Sequence, residues 1–162
     1  MRVLPSLVIA LTLAGAFAAQ AGQSVKSQIA GTWKVTAVYD QFADGTKRET
    51  WGPGPVGQLI MTREGTFSFI MAADDRKPKP NSVPTDPVGP SIAYFGNYKI
   101  DEKTKKISRT LIQSTFPQWK GISQTLQVDS IGANELKIAA MPIKDPVKNQ
   151  EFVPHLEFVR VK

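Results

Sequence analysis

The sequence predicts an all-β fold, an eight-stranded antiparallel up-and-down barrel. Three observations predict it. Apolar and polar residues alternate with period two in eight short segments, the pattern of half-buried strands. Most of these segments are joined by short turns, which suits antiparallel neighbours in a meander. The first segment opens on Gly31-Thr32-Trp33 and the last contains Arg160, a pairing that suggests a small sheet closed on itself. Closure removes the two edges that an open sheet leaves exposed. A β-sandwich is the competing architecture.

Ile29 to Tyr39 reads as the first strand, with Trp33, Val35, Ala37 and Tyr39 on one face and Lys34 and Thr36 on the other. Asp40 to Gly57 is a loop with two turn clusters, Asp44-Gly45 and Trp51-Gly52-Pro53-Gly54-Pro55. Gln58 to Thr62 and Thr66 to Met71 form a hairpin around Glu64-Gly65, and Phe67, Phe69 and Met71 share a face. Ala73 to Pro90 holds Pro78, Pro80, Pro84, Pro87 and Pro90. Each proline lacks a ladder donor, so this stretch predicts an extended, exposed loop lying across one barrel mouth. Ile92 to Ile100 is the fourth strand, with Tyr94, Gly96, Tyr98 and Ile100 on one face. Lys106 to Phe116 is the fifth, stopped by Pro117. Ile122 to Val128, Glu135 to Ala140 and His155 to Val161 complete the set, and a polar loop spans Met141 to Pro154. No helical period follows the N-terminal segment, and no repeat marks a second domain.

That N-terminal segment has its own character. Arg2 precedes a run from Val3 to Ala18 that is apolar apart from Ser6 and Thr12. Small-residue patterns follow at Ala16-Phe17-Ala18 and Ala19-Gln20-Ala21. Residues 1–21 therefore read as a secretory signal peptide, leaving 22–162 as the barrel domain. The run is shorter than the roughly 20 residues of a spanning helix. The expectation is an exported protein, periplasmic or secreted, with no stable membrane anchor.

The chain has 162 residues, no cysteine, one histidine and a formal charge of +6. Without disulfides an exported domain relies on its core, and about 150 residues suffice to bury about 68–70% of the unfolded surface. Thiol catalysis, Fe–S clusters and cysteine zinc sites are excluded. The basic residues are scattered, which favours acidic partners or anionic lipid weakly and gives no nucleic-acid stripe. A Ser-His-Asp relay would have to use His155, and no Gly-x-Ser-x-Gly elbow supplies its serine. Asp74-Asp75 lacks an EF-hand context, and no phosphate-binding glycine motif is present. No metal, cofactor or catalytic residue is predicted, and the oligomeric state is left open.

Five stretches, in order, resemble the bacterial lipocalin-like domain family. They are Gly31-Thr32-Trp33, the run from Gly52 to Thr62, Ala93 to Tyr98, Ser114 to Gly121, and Leu156 to Arg160. The resemblance implies an eight-stranded calyx. It also implies that Trp33 plugs the closed end of the barrel and that Arg160 lies over its indole, a structural cation–π pair. Two features depart from the family. Arg109 and Thr110 stand where histidine is common, and the proline-rich loop stands where a short helix is usual.

The aromatic set suggests a use for the interior. Phe67, Phe69, Tyr94, Tyr98, Phe116 and Trp119 line a pocket if they face inward, with Tyr94, Tyr98, Arg109 and Gln113 as polar handles. The alternative is that they simply fill the core. Arg109 alternates with Ile107 and Leu111 and shares their face. An interior guanidinium needs an anionic partner, which a ligand carboxylate or an internal acid supplies. The leading expectation is a barrel that binds a small hydrophobic molecule with an anionic head. The runner-up is a lipocalin-like isomerase, cyclase or hydrolase acting through Tyr94, Tyr98 or Arg109. A third reading is a filled-core envelope interaction module.

Overall fold

The computed structural model describes residues 24–77, 80–83, 89–145 and 148–162. The expected signal peptide lies outside these residues, as do 78–79 and 84–88 of the proline-rich loop. A short helix, α1 (Val25–Ile29), precedes the strands β1 (Gly31–Phe42), β2 (Lys47–Arg48), β3 (Val56–Met61), β4 (Thr66–Ala72) and β5 (Ser91–Asp101). Then follow β6 (Lys106–Ser114), a 3-10 turn (Pro117–Trp119), β7 (Ser123–Ile131), β8 (Glu135–Ala140), β9 (Ile143–Lys144) and β10 (Glu151–Arg160). The hydrogen-bonded order is β2-β1-β3-β4-β5-β6-β7-β8-β10-β9, and β1 pairs with β10 as well. β2 and β9 are two-residue ribbons. The other eight strands form a closed antiparallel barrel, following one another around the wall in chain order. The up-and-down barrel, not the sandwich, is the architecture.

Period two decides which side chains enter the core. Leu59 and Met61 of β3, Phe67, Phe69 and Met71 of β4, and Tyr94 and Tyr98 of β5 are all buried. Gly96 lies between the two tyrosines, and a Cβ there would overlap the Thr110 carbonyl oxygen. Glycine is thus what lets β5 and β6 approach each other.

Three β-bulges break the alternation, between Val35 and Ala37, opposite Phe95–Gly96, and between Val128 and Ser130. Each adds a residue to one strand, bends it and exchanges its faces beyond that point. The first corrects the reading of β1. Trp33 and Val35 face inward as expected, but past the bulge Val38 and Asp40 are buried, and Ala37 and Tyr39 are only partly covered. The second makes Ile112 the extra residue and sets Gln113 opposite the outward Phe95.

Some boundaries also differ. Ile29 belongs to α1, which is too short to show a helical period in sequence. β2 and β9 lie in segments expected to be loops. β10 begins at Glu151 and contains Pro154. That proline is tolerated because the ladder on that side is interrupted there, between Phe152 opposite Ile143 and His155 opposite Ala139.

The two barrel ends are built differently. At one end lie α1 and the short turns 62–65, 102–105 and 132–134; at the other β1, β4, β6 and β8 end, and longer connections leave from Phe42, Ala72, Ser114 and Ala140. At the first end Trp33 is fully buried, and its indole Nε1 donates to the Ile29 carbonyl at 2.8 Å. The Arg160 guanidinium stands 4.0 Å over the Trp33 ring. Its Nε donates to the Ala133 carbonyl at 2.7 Å, its Nη1 to Ala30 at 3.0 Å, and its Nη2 to Gln28. Gly31 has φ +139°, and a Cβ on it would sit 2.6 Å from Arg160 Nη1. The Gly31–Trp33–Arg160 constellation is therefore one steric unit. The Glu102 carboxylate completes this end by accepting from the Val25 and Lys26 amides at 2.8 and 2.9 Å, free donors of the helix start.

Candidate functional site

The barrel interior is divided in two. In the lower half, around Phe67, Tyr98, Ile107 and Ile138, the side chains leave a void of about 20 Å³. That is room for about one water. Toward the open end lies a cavity of about 470 Å³, walled by Val38, Trp51, Met71, Trp119, Met141 and Leu156 among others. Its size is within the roughly 300–1,000 Å³ of small-molecule sites. Phe69, Tyr94, Arg109, Leu126 and Leu156 border both spaces and form the floor of the larger one.

Arg109 is the charged group of that floor. Ile107 and Leu111 flank it on the inward face of β6, as the alternation predicts, and its cross-strand partner on β7 is Gln124. Its Nε donates to Gln124 Oε1 at 2.8 Å. Its guanidinium lies 4.9 Å from the Tyr94 ring centre and 5.5 Å from that of Phe67. Among the described residues no carboxylate pairs with it, and no hydrogen bond takes up its two Nη groups. The Tyr94 hydroxyl is likewise without a hydrogen-bond partner among those residues. The floor thus carries two polar groups with unused hydrogen-bonding capacity at the border of a mainly apolar space.

An aromatic ladder leads from this floor to the rim. Tyr94 meets Phe69 at 5.1 Å and Trp119 at 5.7 Å between ring centres, and Trp119 meets Phe116 edge-on at 5.5 Å. Trp119 sits on the 3-10 turn, started by Pro117 and closed by the Trp119 and Lys120 amides on the carbonyls of Phe116 and Pro117.

The structure brings Phe69, Tyr94, Arg109 and Trp119 together around the cavity. Phe67 and Tyr98 lie lower, at the small void. The Tyr98 hydroxyl donates to the Thr62 carbonyl at 2.6 Å. Burial raises the Tyr98 phenol above its ordinary value, and the Glu64 charge adds to this. Phe116 is an exposed rim residue. Gln113 is placed on the outer wall, because the bulge at Ile112 turns it away from the interior. Trp33 and Arg160 stand at the closed end, away from the cavity. His155 is on the outer wall, stacked on Tyr39 at 5.1 Å with Asp129 at 3.6 Å.

Sequence reasoning missed Trp51, Val38, Gln124 and the Met141–Ile143 segment as cavity walls. Gln124 had a usable signal, a polar residue two before Leu126 on an inward face. Val38 is hidden by the first bulge. Trp51 and Met141–Ile143 come from connections whose path over the mouth no periodicity encodes.

At the rim above this cavity, Asp40 is buried and fully engaged. It accepts from Arg48 Nε at 3.1 Å, Arg48 Nη2 at 2.8 Å and Thr50 Oγ1 at 2.7 Å. Arg48 lies 5.2 Å from the Phe42 ring centre and 4.9 Å from that of Phe152. This clasp ties the connection carrying Trp51 to the β1–β10 seam.

Compared with known families, residues 30–152 match the lipocalin-like domain. No curated protein matches the chain. The matched residues run from Ala30, just before β1, to Phe152 near the start of β10, and include Trp33 of the plugged end and Arg109, Tyr94 and Trp119 of the cavity. The chain therefore belongs to the lipocalin-like domain family.

Proposed function

We propose that the protein binds a small amphipathic molecule non-covalently, with the apolar body in the upper cavity and an anionic head on Arg109. One observation carries this reading: a half-buried guanidinium at the floor of an apolar cavity, with both Nη groups untaken among the described residues. A charge withdrawn from water needs a counter-charge or a full set of hydrogen bonds. Gln124 and the faces of Phe67 and Tyr94 supply part of that stabilisation. A carboxylate matches the remaining two donors, and the Tyr94 hydroxyl adds another. The aromatic and aliphatic walls would stabilise the tail by about 25 cal/mol per Å² of apolar surface buried. Export by residues 1–21 belongs to the same proposal, and N-terminal sequencing of the protein recovered from its cells tests it.

Binding is tested by titrating the protein with dodecanoate and, separately, with dodecanol. The parent should bind both. Arg109→Leu should weaken dodecanoate binding by about tenfold or more and leave dodecanol binding nearly unchanged, because only the charged head uses the guanidinium. Equal dodecanoate affinity in parent and variant would remove Arg109 from the site. Failure of the parent to bind either probe would overturn the carrier reading itself.

A further inference from the structure

The outer wall of the barrel has two unlike halves. Around β1, β7, β8 and β10 it is covered with charge. Lys137 pairs with Glu157 at 3.0 Å, His155 faces Asp129 at 3.6 Å, and Lys47 stands 4.0 Å over the Tyr39 ring. The half formed by β3 to β6 is different. No charged side chain faces outward from β3 or β4, from Ser91–Asn97 of β5, or from Ser108–Gln113 of β6. In place of charge, Ile70, Phe95 and Ile112 are 58%, 48% and 51% exposed. Register explains why they lie together. Ile70 pairs with Ala93, one pleat from Phe95, and Phe95 pairs with Gln113 beside the bulged Ile112. The small side chains of Ser68 and Ala93, with Ser114 and Thr115, leave a shallow groove of about 350 Å³ alongside them.

We propose that this wall is a contact surface for a second copy of the chain. Contiguous exposed apolar surface of this kind marks an interaction site, whereas single exposed apolar residues do not. The core of an interface is depleted in charge, as this wall is. The chain carries a net charge of +6, so two copies repel wherever their basic surfaces meet. They can approach most closely through a wall whose strands carry no outward charge, where the nearest charges beside Ile70, Asp74 and Arg76, are of opposite sign, and such a wall offers little to a partner recognised by its own charge. The wall is also self-complementary. It carries raised side chains and a groove side by side, so a two-fold axis can seat Phe95 of each copy in the groove of the other. Four strands about 4.8 Å apart give a contact at the small end of specific interfaces, so the dimer should be reversible and concentration-dependent. None of this depends on what the cavity holds.

Sedimentation velocity on the purified protein, from low micromolar to submillimolar concentration, tests the proposal. The parent should shift from monomer toward dimer across that range. Phe95→Lys and Ile70→Glu should each weaken pairing by about tenfold or more, because each buries two charges of one sign in the contact with no counter-charge opposite them. An equimolar mixture of the two variants should regain pairing, since opposite charges then meet. Thermal melts establish that each variant is folded, and Phe95→Ser replaces either one that is not. Lys137→Gln, on the charged half, should pair like the parent. A parent that stays monomeric throughout, or variants that pair as the parent does, would overturn the proposal. Binding of a monomeric parent to neutral lipid vesicles, abolished by Phe95→Lys, would assign the wall to lipid and overturn it as well.

Discussion

The two ends of this barrel are made of similar residues put to opposite uses. Each has a tryptophan, an arginine and a set of aliphatic neighbours. At the closed end Trp33 is fully buried, and Arg160 has each of its three nitrogens on a backbone carbonyl. At the open end Trp119 is half-buried beside a cavity of about 470 Å³, and Arg109 spends one nitrogen on Gln124 and leaves two untaken. The difference lies in the connections. Short turns and α1 bring carbonyls down onto Arg160, whereas at the other end Trp51, Trp119 and Met141–Ile143, from three longer connections, stand around a space. An arginine with every donor satisfied is part of the architecture. One with donors left over, in an apolar setting, is available to a ligand.

Substitutions at the closed end should act on stability and those at the open end on binding. The largest effect is expected from Trp33→Ala. It removes a fully buried indole, its hydrogen bond to Ile29 and the ring under Arg160. The cost should be about 3–5 kcal/mol, a fall in melting temperature of about 10–20 °C. A variant that melts like the parent would remove the plug from the account. Gly31→Ala should come next, at about 1–3 kcal/mol, since it forces a side chain into positive φ and against Arg160 Nη1. Scanning calorimetry of the two variants ranks them, and a neutral Gly31→Ala would show that Arg160 swings aside freely.

Tyr98 gives a smaller effect with a distinctive pH dependence. Burial first, and the Glu64 charge second, raise its phenol in the folded state. The folded state thus favours the neutral phenol. Its contribution is complete below the ordinary value of about 10 and is lost as pH rises through the higher folded value. Tyr98→Phe should cost about 1 kcal/mol at neutral pH, through the lost hydrogen bond to Thr62, and should flatten the alkaline decline. Denaturant melts at increasing pH read both effects, and an unchanged alkaline slope would assign the decline to other groups. The smallest change in stability is expected from Arg109→Leu. It should alter the melting temperature by no more than a few degrees while weakening the binding of dodecanoate proposed above, since its guanidinium is held by one side-chain hydrogen bond and ring contacts.

Much of the fold is legible because one face of every strand is buried, so period two is written into the residue order. Phe67–Phe69–Met71 and Tyr94–Gly96–Tyr98 show this directly. The inward position of Arg109 is legible for the same reason, from Ile107 and Leu111 on either side. The exceptions share one cause. Ala37, Tyr39 and Gln113 all lie just past a bulge, and each is turned to the face opposite the one its alternation predicts. A bulge relieves the bending of a strand in a closed wall, and that bending does not exist until the wall closes.

The sequence by itself determined the strand class, the number of barrel strands, the glycine–tryptophan start paired with a terminal arginine, and the inward arginine of β6. These are local or periodic properties, set by which residues must leave water. Tertiary structure alone decided that the lower half of the interior is filled and the upper half open. It decided that Trp51, Val38 and Met141 wall the cavity while Gln113 does not, and that the uncharged outer residues of β3 to β6 lie on one continuous face. Those properties depend on register and on how far each connection reaches over the mouth, and closing the barrel fixes both at once.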